Sequence, residues 1–178
     1  MRKNSLKNYV LDESNGQKIR YVGQYYVTET PVDIRRKSGI CKLVAGFLEF
    51  LLIFAAISVD CLGCRKFYIV LPLELIFFCA LYYLIGAYSY LKSGDRMEQK
   101  IYDKAYSNPV QTVTVAGILN LTALIGQLVL VVGNRAEITG YGDYIFCAIL
   151  CVLLMLHTVM WRQQKMLFTK AWPEKVSD

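Results

Sequence analysis

Residues 43–59 form an apolar run in which Glu49 is the one charged side chain. The run approaches the roughly 20 apolar residues that a helix needs to cross the hydrocarbon core of a bilayer. A basic cluster at residues 35–37 precedes it, as is typical of a chain that enters the membrane from a charged surface. We therefore predict a membrane-spanning helix over about residues 40–62.

Three further apolar segments follow, and charged residues collect between them. The chain has 178 residues, of which 55% are hydrophobic, and its mean hydropathy of +0.35 exceeds that of a soluble domain of this size. Since short connections favour antiparallel neighbours, we expect an all-α integral membrane protein with an antiparallel four-helix transmembrane bundle. The predicted spans are about 40–62, 67–91, 110–132 and 144–161.

The N-terminal region is polar and carries the pattern of a short cytoplasmic β-hairpin. Positions 15–16 hold an Asn-Gly dipeptide between two β-rich runs, which predicts a hairpin over residues 9–22 with Val10 opposite Tyr21. A further β-rich run at residues 25–28 is a candidate third strand. The alternative is a tail that becomes ordered only on binding.

The segment between the second and third spans, residues 92–109, has a helical pattern of its own. Asp95 and Glu98 have the spacing of a helix N-cap and its reciprocal partner. Basic side chains then repeat at helical intervals on one stripe, which consists of Arg96, Lys100 and Lys104. We therefore predict a short cytoplasmic amphipathic helix on the membrane surface, with its basic side toward anionic headgroups.

The distribution of Lys and Arg predicts the orientation in the membrane. The N-terminal region with Lys42, the segment 92–109 and the C-terminal tail hold 17 of the 20 basic residues, and such residues collect on the cytoplasmic side. We expect a multi-pass protein of the cell membrane, with residues 1–39 and 162–178 in the cytoplasm. The net charge of +6 then indicates attraction to the bilayer surface and not to nucleic acid, since no basic cluster lies on a separate folded domain.

Glu49 is the first candidate for a functional group. An ionisable side chain near the middle of the membrane costs at least about 2.5 kcal/mol on insertion scales, so such groups are functional candidates by default. The helix face around it is small and polar, which predicts that Glu49 meets protein, with Asn120 or Gln127 of the third span as its partner. One interpretation is a proton or cation site, and the other is a neutral, hydrogen-bonded packing residue.

Glu74 is a second carboxylate within a predicted span, in the outer half of the second helix. We expect its side chain to reach the outer interface near Arg65 or Lys66, since long side chains extend toward the nearest water. The alternative is that Glu74 forms a second station on a path that also uses Glu49. Asn120 and Gln127 complete the set of intramembrane polar candidates.

Cys61 and Cys64 form a C-x-x-C motif after the first span, with Arg65 next to it. The motif and the number of spans resemble the disulfide-generating quinone reductases of the DsbB and vitamin K epoxide reductase group. This resemblance implies a thiol oxidoreductase with Cys61 and Cys64 as a redox pair. The chain departs from that pattern because residues 133–143 contain no cysteine for a second, shuttling pair. The alternative is a structural disulfide or two free thiols.

The overall layout also looks like that of small uncharacterised four-span membrane proteins of Gram-positive bacteria. This resemblance rests on the sequence Arg-Tyr-Val-Gly-Gln-Tyr-Tyr at positions 20–26 and on Phe-Tyr-Ile-Val-Leu-Pro at positions 67–72. It implies the topology and no activity.

Three functions remain as hypotheses. The leading one is a non-catalytic subunit or regulator of a larger membrane assembly such as a transporter, because the sequence has no motif of the common enzyme classes. The second is a small proton- or cation-coupled transporter that uses Glu49, and the third is the thiol oxidoreductase. The expected partners are the lipid bilayer and either another membrane protein or further copies of the chain. We expect no metal, no cofactor and no catalytic residue.

Overall fold

The computed structural model describes residues 9–12, 18–21, 25–28, 30–94, 96–134, 140–167 and 171–174. Within these residues, four helices are long and apolar enough to cross a membrane. They are Val32–Ser58, Phe67–Leu91, Gln99–Gly133 and Gly142–Gln164. The prediction of four helices of membrane-spanning length is therefore confirmed.

In the described part of the chain, five short strands lie outside these helices. They are β1 (Tyr9–Asp12), β2 (Lys18–Tyr21), β3 (Tyr25–Thr28), β4 (Arg96–Glu98) and β5 (Ala171–Glu174). Strands β1 and β2 pair antiparallel with Val10 opposite Arg20, whereas the sequence predicts Val10 opposite Tyr21. A register shift of one residue exchanges the two faces of a strand. The predicted turn at positions 15–16 lies outside the described residues.

Strand β3 is the central strand of a second sheet, in the order β4-β3-β5. Val27 of β3 is paired with Arg96 on one side and with Trp172 on the other. Tyr26 also stacks on Tyr102, with 4.1 Å between ring centroids. The segments before the first helix, between the second and third, and after the fourth therefore meet at one end of the bundle, which we call the sheet end.

Helix α1 runs Val32–Ser58 and not over residues 40–62 as predicted. It begins earlier because Pro31 occupies its N-cap position, where the missing N–H costs nothing. The basic cluster at 35–37 is therefore already helical. Helix α1 ends earlier because Val59 is extended, with ψ of 124°. Hydropathy thus locates the apolar part of the helix and not its ends.

Helix α2 runs Phe67–Leu91, as predicted. A 3₁₀ turn at Gly63–Arg65 joins it to α1, and we call this end of the bundle the turn end. The third spanning helix consists of α3 (Gln99–Tyr102), a π-helical turn (Asp103–Ser107) and α4 (Asn108–Gly133). Helix α5, Gly142–Leu167, continues beyond the predicted end of the fourth span.

The prediction of a separate surface helix over residues 92–109 is wrong. Arg96–Glu98 pair with β3 as a strand, and the helix that begins at Gln99 continues into the third span. Ser107 has helical angles, with φ of −62° and ψ of −47°, so the helix does not restart there. Lys100 and Lys104 are exposed, as the basic stripe requires. The predicted cap, Asp95, lies outside the described residues.

The helices form a ring in which each packs against two neighbours. Helices α1 and α4 both contact α2 and α5, so α1 and α4 lie diagonally across the bundle. The core contains fully buried apolar side chains from all four helices, among them Ile53, Ile69, Ile76, Ala123, Phe146, Leu150 and Leu153. Large apolar side chains such as Phe47 and Phe78 cover the outside. An outer surface of this kind is suited to lipid.

We expect Gly86→Ala to destabilise the bundle by about 1–3 kcal/mol, the usual range for overpacking. A Cβ at this position would meet the ring of Pro109 and lie 3.0 Å from the backbone carbonyl of Lys104. Gly117→Ala is the control, because its Cβ would have its nearest contact at 3.9 Å, with His157. Both positions are inside helices, so the gain in helix propensity is similar. Equal unfolding free energies of the two variants in detergent would contradict this packing.

Candidate functional site

Glu49 and His157 form a buried pair in the middle of the bundle. Glu49 lies on α1 and His157 on α5, with 2.8 Å between Glu49 Oε1 and His157 Nε2. Each side chain is 2% exposed. A separation this short is that of a hydrogen bond, so a hydrogen lies between the two atoms. The other ring nitrogen, His157 Nδ1, has no hydrogen-bond partner among the described residues.

The prediction that Asn120 or Gln127 meets Glu49 is wrong. The Asn120 amide donates to the carbonyl of Leu150 at 3.1 Å, and the Gln127 amide donates to Asp143 Oδ1 at 2.9 Å. Both amides are fully buried, as an inward-facing helix surface requires. They lie on α4, which is diagonal to α1, so they meet residues of α5 before they can reach Glu49.

Lys42 forms a second polar contact between α1 and α5. Its Nζ donates to Gln164 Oε1 at 2.8 Å and lies 4.1 Å from the centre of the Tyr90 ring on α2. The Lys42 side chain is 1% exposed, so the amide oxygen and the ring face take the place of water around the charge. Closer to the sheet end, Arg35 donates to the carbonyl of Gly94 at 3.0 Å.

Three residues of this site are not predicted from the sequence, namely Lys42, His157 and Gln164. The spacing of these residues in the sequence is nevertheless informative. Lys42 and Glu49 are seven residues apart, and so are His157 and Gln164. Seven residues are about two helical turns, so antiparallel helices in contact bring two such pairs face to face. This spacing is usable only once α1 and α5 are known to be neighbours, and the sequence does not show that.

Asp143, at the start of α5, connects the helices at the turn end. Its carboxylate accepts hydrogen bonds from the backbone N–H groups of Leu62 at 3.3 Å and Gly63 at 3.1 Å. It also accepts the hydrogen bond from Gln127. A Cβ at Gly63 would collide with the Gln127 amide oxygen, so a larger residue here would displace the Gln127 side chain. One buried carboxylate thus ties the α1–α2 turn to α4 and α5.

Cys61 and Cys64 lie together in the turn between α1 and α2. Both are free thiols, with 3.0 Å between the two Sγ atoms. Burial, followed by the hydrogen bond with Cys61, raises the pKa of the Cys64 thiol to about 12. Since the thiolate is the nucleophilic form, Cys64 is weakly nucleophilic at neutral pH. Cys147 and Cys151, the other cysteines toward this end, lie within α5.

Glu74 lies on the exposed face of α2, one turn from Phe78. It does not pair with Arg65, because Arg65 binds Asp60 at the surface, with 3.2 Å between the atoms. Glu74 has no hydrogen bond or ion pair within the described part of the chain. The structure therefore leaves a carboxylate on a surface that is otherwise apolar.

A groove of about 450 Å³ opens between α2 and α4 on the outer surface, toward the sheet end. It is lined by Phe78, Cys79, Tyr82, Asn108, Gln111, Thr112 and Val115. The Asn108 amide donates to the Tyr82 hydroxyl at 3.2 Å. Phe78 belongs both to this groove and to the helix face that carries Glu74, so polar groups and the carboxylate share one surface.

We expect Asp143→Ala to destabilise the protein by about 1–3 kcal/mol, because it leaves buried donors of Leu62, Gly63 and Gln127 without their acceptor. Asp60→Ala is the control. Its side chain is 91% exposed and pairs with Arg65 at the surface, where an ion pair contributes less than about 1 kcal/mol. Denaturation of both variants in detergent tests this, and equal losses of stability would contradict the role of Asp143.

The described residues contain no group of three or more His, Cys, Asp and Glu side chains placed to hold a metal ion. Comparison of the chain with protein-family models, with curated proteins and with solved structures gives no match.

Proposed function

We propose that this chain is a non-catalytic subunit or regulator of a larger membrane assembly, such as a transporter, and that it binds its partner through the exposed face of α2. The main support for the proposal is the exposed position of Glu74. Its carboxylate lies among apolar side chains suited to lipid, and it has no partner within the described residues. A partner helix can supply the hydrogen-bond donor that lipid lacks.

The depth of Glu74 supports this interpretation. Glu74 lies seven residues from Phe67, the first residue of α2, which is about 10 Å along the helix axis. Ionisable side chains within membrane-spanning segments almost always face protein or a water-filled cavity. Glu74 faces no other part of the described chain, so a second protein is the candidate to cover it.

The groove between α2 and α4 extends the proposed contact surface. Its polar groups include the amide of Asn108 and the hydroxyl of Tyr82. Hydrogen bonds between helices and close packing drive association in lipid, where the hydrophobic effect does not. Glu74 and the groove together therefore offer both a carboxylate anchor and a cavity for side chains of a partner helix.

The partner is a different protein and not a second copy of this chain. Two copies related by an axis along the membrane normal would place their Glu74 carboxylates at the same depth. Two ionised carboxylates at equal depth repel each other in a medium of low dielectric constant, so contact between two copies through this face requires a proton on one of them. A spanning helix with Lys, Arg or an amide at the depth of Glu74 has the complementary chemistry.

Two other functions have less support. A transporter that uses Glu49 needs a path from Glu49 to both ends, and the layer between Glu49 and the turn end includes fully buried Ile53, Leu150 and Leu153. A thiol oxidoreductase needs a reactive thiolate, and the pKa of Cys64 is raised to about 12.

Photo-crosslinking in native membranes tests the docking face. With a photoreactive residue in place of Phe78, we expect a defined adduct with one membrane protein. Glu74→Leu should lower its yield about tenfold or more, because a hydrogen bond to a charged group contributes about 1.5–3 kcal/mol. A photoreactive residue in place of Val129, which is 66% exposed on α4, is the control and should crosslink to lipid. Equal adduct yields with and without Glu74, or lipid adducts alone at position 78, would contradict the proposal.

We also propose that the sheet end faces the cytoplasm, since the three segments that meet there contain most of the basic residues. Cysteines introduced at two exposed positions test this orientation in intact cells. A membrane-impermeant thiol reagent should label Gly140→Cys, beside the turn end, above the level of the parent chain. It should label Lys92→Cys, at the sheet end, only after permeabilisation. The opposite labelling pattern would reverse the topology.

A further inference from the structure

We propose that Glu49 and His157 form a proton-binding site that exchanges protons with the sheet end of the bundle and not with the turn end. The site is an addition to the docking role and does not depend on a partner. Its basis is the 2.8 Å contact between Glu49 Oε1 and His157 Nε2, in which both side chains are buried.

The proton count of the pair defines its two states. With Glu49 ionised and His157 neutral, the Nε2 proton is donated to the carboxylate, and the pair has a charge of −1. One further proton gives an imidazolium beside a carboxylate, or a carboxylic acid that donates to Nε2. In both forms the pair is neutral and Nδ1 of His157 carries a hydrogen. The Nδ1 atom has no partner among the described residues. Binding of the proton therefore converts Nδ1 from a hydrogen-bond acceptor into a donor.

Among the described residues around the pair, Lys42 is a further basic side chain. It lies seven residues from Glu49 on α1, about 10 Å along the axis, and when protonated its amine balances the negative state of the pair. Helix α2 places the thiol of Cys79 and the hydroxyl of Tyr83 within electrostatic range of Glu49. Helix α4 places Gly117 against His157, and its buried polar side chains are the uncharged amides of Asn120 and Gln127.

The two directions along the bundle differ in polarity. Toward the sheet end, polar side chains accompany the buried apolar residues Ala87, Val113 and Met160. The Tyr83 hydroxyl lies near Gln164 without a hydrogen bond to it, Gln164 accepts from Lys42, and Lys42 lies over Tyr90. Toward the turn end, the next layers contain the fully buried side chains of Ile53, Ala56, Phe146, Leu150 and Leu153. Since protons move along polar groups and water and not through packed hydrocarbon, access is from the sheet end.

Infrared difference spectroscopy on the purified full chain, reconstituted in lipid vesicles in one orientation, tests the proposal. A pH step from 8 to 5 on the side of the sheet end should change a carboxyl and carboxylate band pair that is absent from Glu49→Gln. The same step on the other side should leave these bands unchanged. A response to pH on the turn side, or no band assigned to Glu49 on either side, would overturn the proposal.

Two further variants separate this role from simple packing. Gln164→Leu interrupts the polar groups toward the sheet end and should slow the band change at least tenfold. Gln127→Leu, a matched change of a buried amide toward the turn end, should leave the rate unchanged. Equal rates in the two variants would overturn the proposed route. If Glu49→Gln does not fold, Glu49→Asp identifies the band by its shift in frequency, and an unshifted band would show that the signal has another source.

Discussion

A polar group inside a bilayer must find its partner within protein, because hydrocarbon offers neither donor nor acceptor. Helices α1 and α5 meet this requirement together, through the contacts of Glu49 with His157 and of Lys42 with Gln164. The two contacts lie seven residues apart on both helices, so they fix the register of α1 against α5. A shift by one residue would separate both pairs and leave buried charges without partners, which costs far more than an apolar mismatch.

The position of α4 follows from the same requirement. Its amides cannot serve α1 across the diagonal of the ring, so they bind the backbone of α5 and the carboxylate of Asp143. Asp143 in turn satisfies the backbone of the turn between α1 and α2. The bundle therefore uses polar contacts as connections between helices at two levels, the middle and the turn end, with packed apolar side chains between them.

The sequence predicts the spanning helices and their antiparallel order, because hydropathy and short connections depend on local composition. It predicts that Glu49 is buried because the helix face around Glu49 is small and polar. It does not predict His157 as the partner, because pairing depends on which helices are neighbours in the ring. Nor does it predict β4, because Arg96–Glu98 resemble the first turn of a helix and become a strand only beside β3. Tertiary contacts decide both cases.

In the proposed membrane protein, the sheet that contains β3, β4 and β5 also constrains how the chain is inserted. These strands precede the first spanning helix, separate the second from the third, and follow the last. They can pair only if the chain returns to the same side of the membrane after each pair of helices. A chain in which one helix failed to insert would leave β5 on the wrong side of the bilayer, and the sheet would lack an edge strand. The complete sheet therefore forms only when the helices cross the membrane an even number of times. Its presence distinguishes a correctly inserted chain.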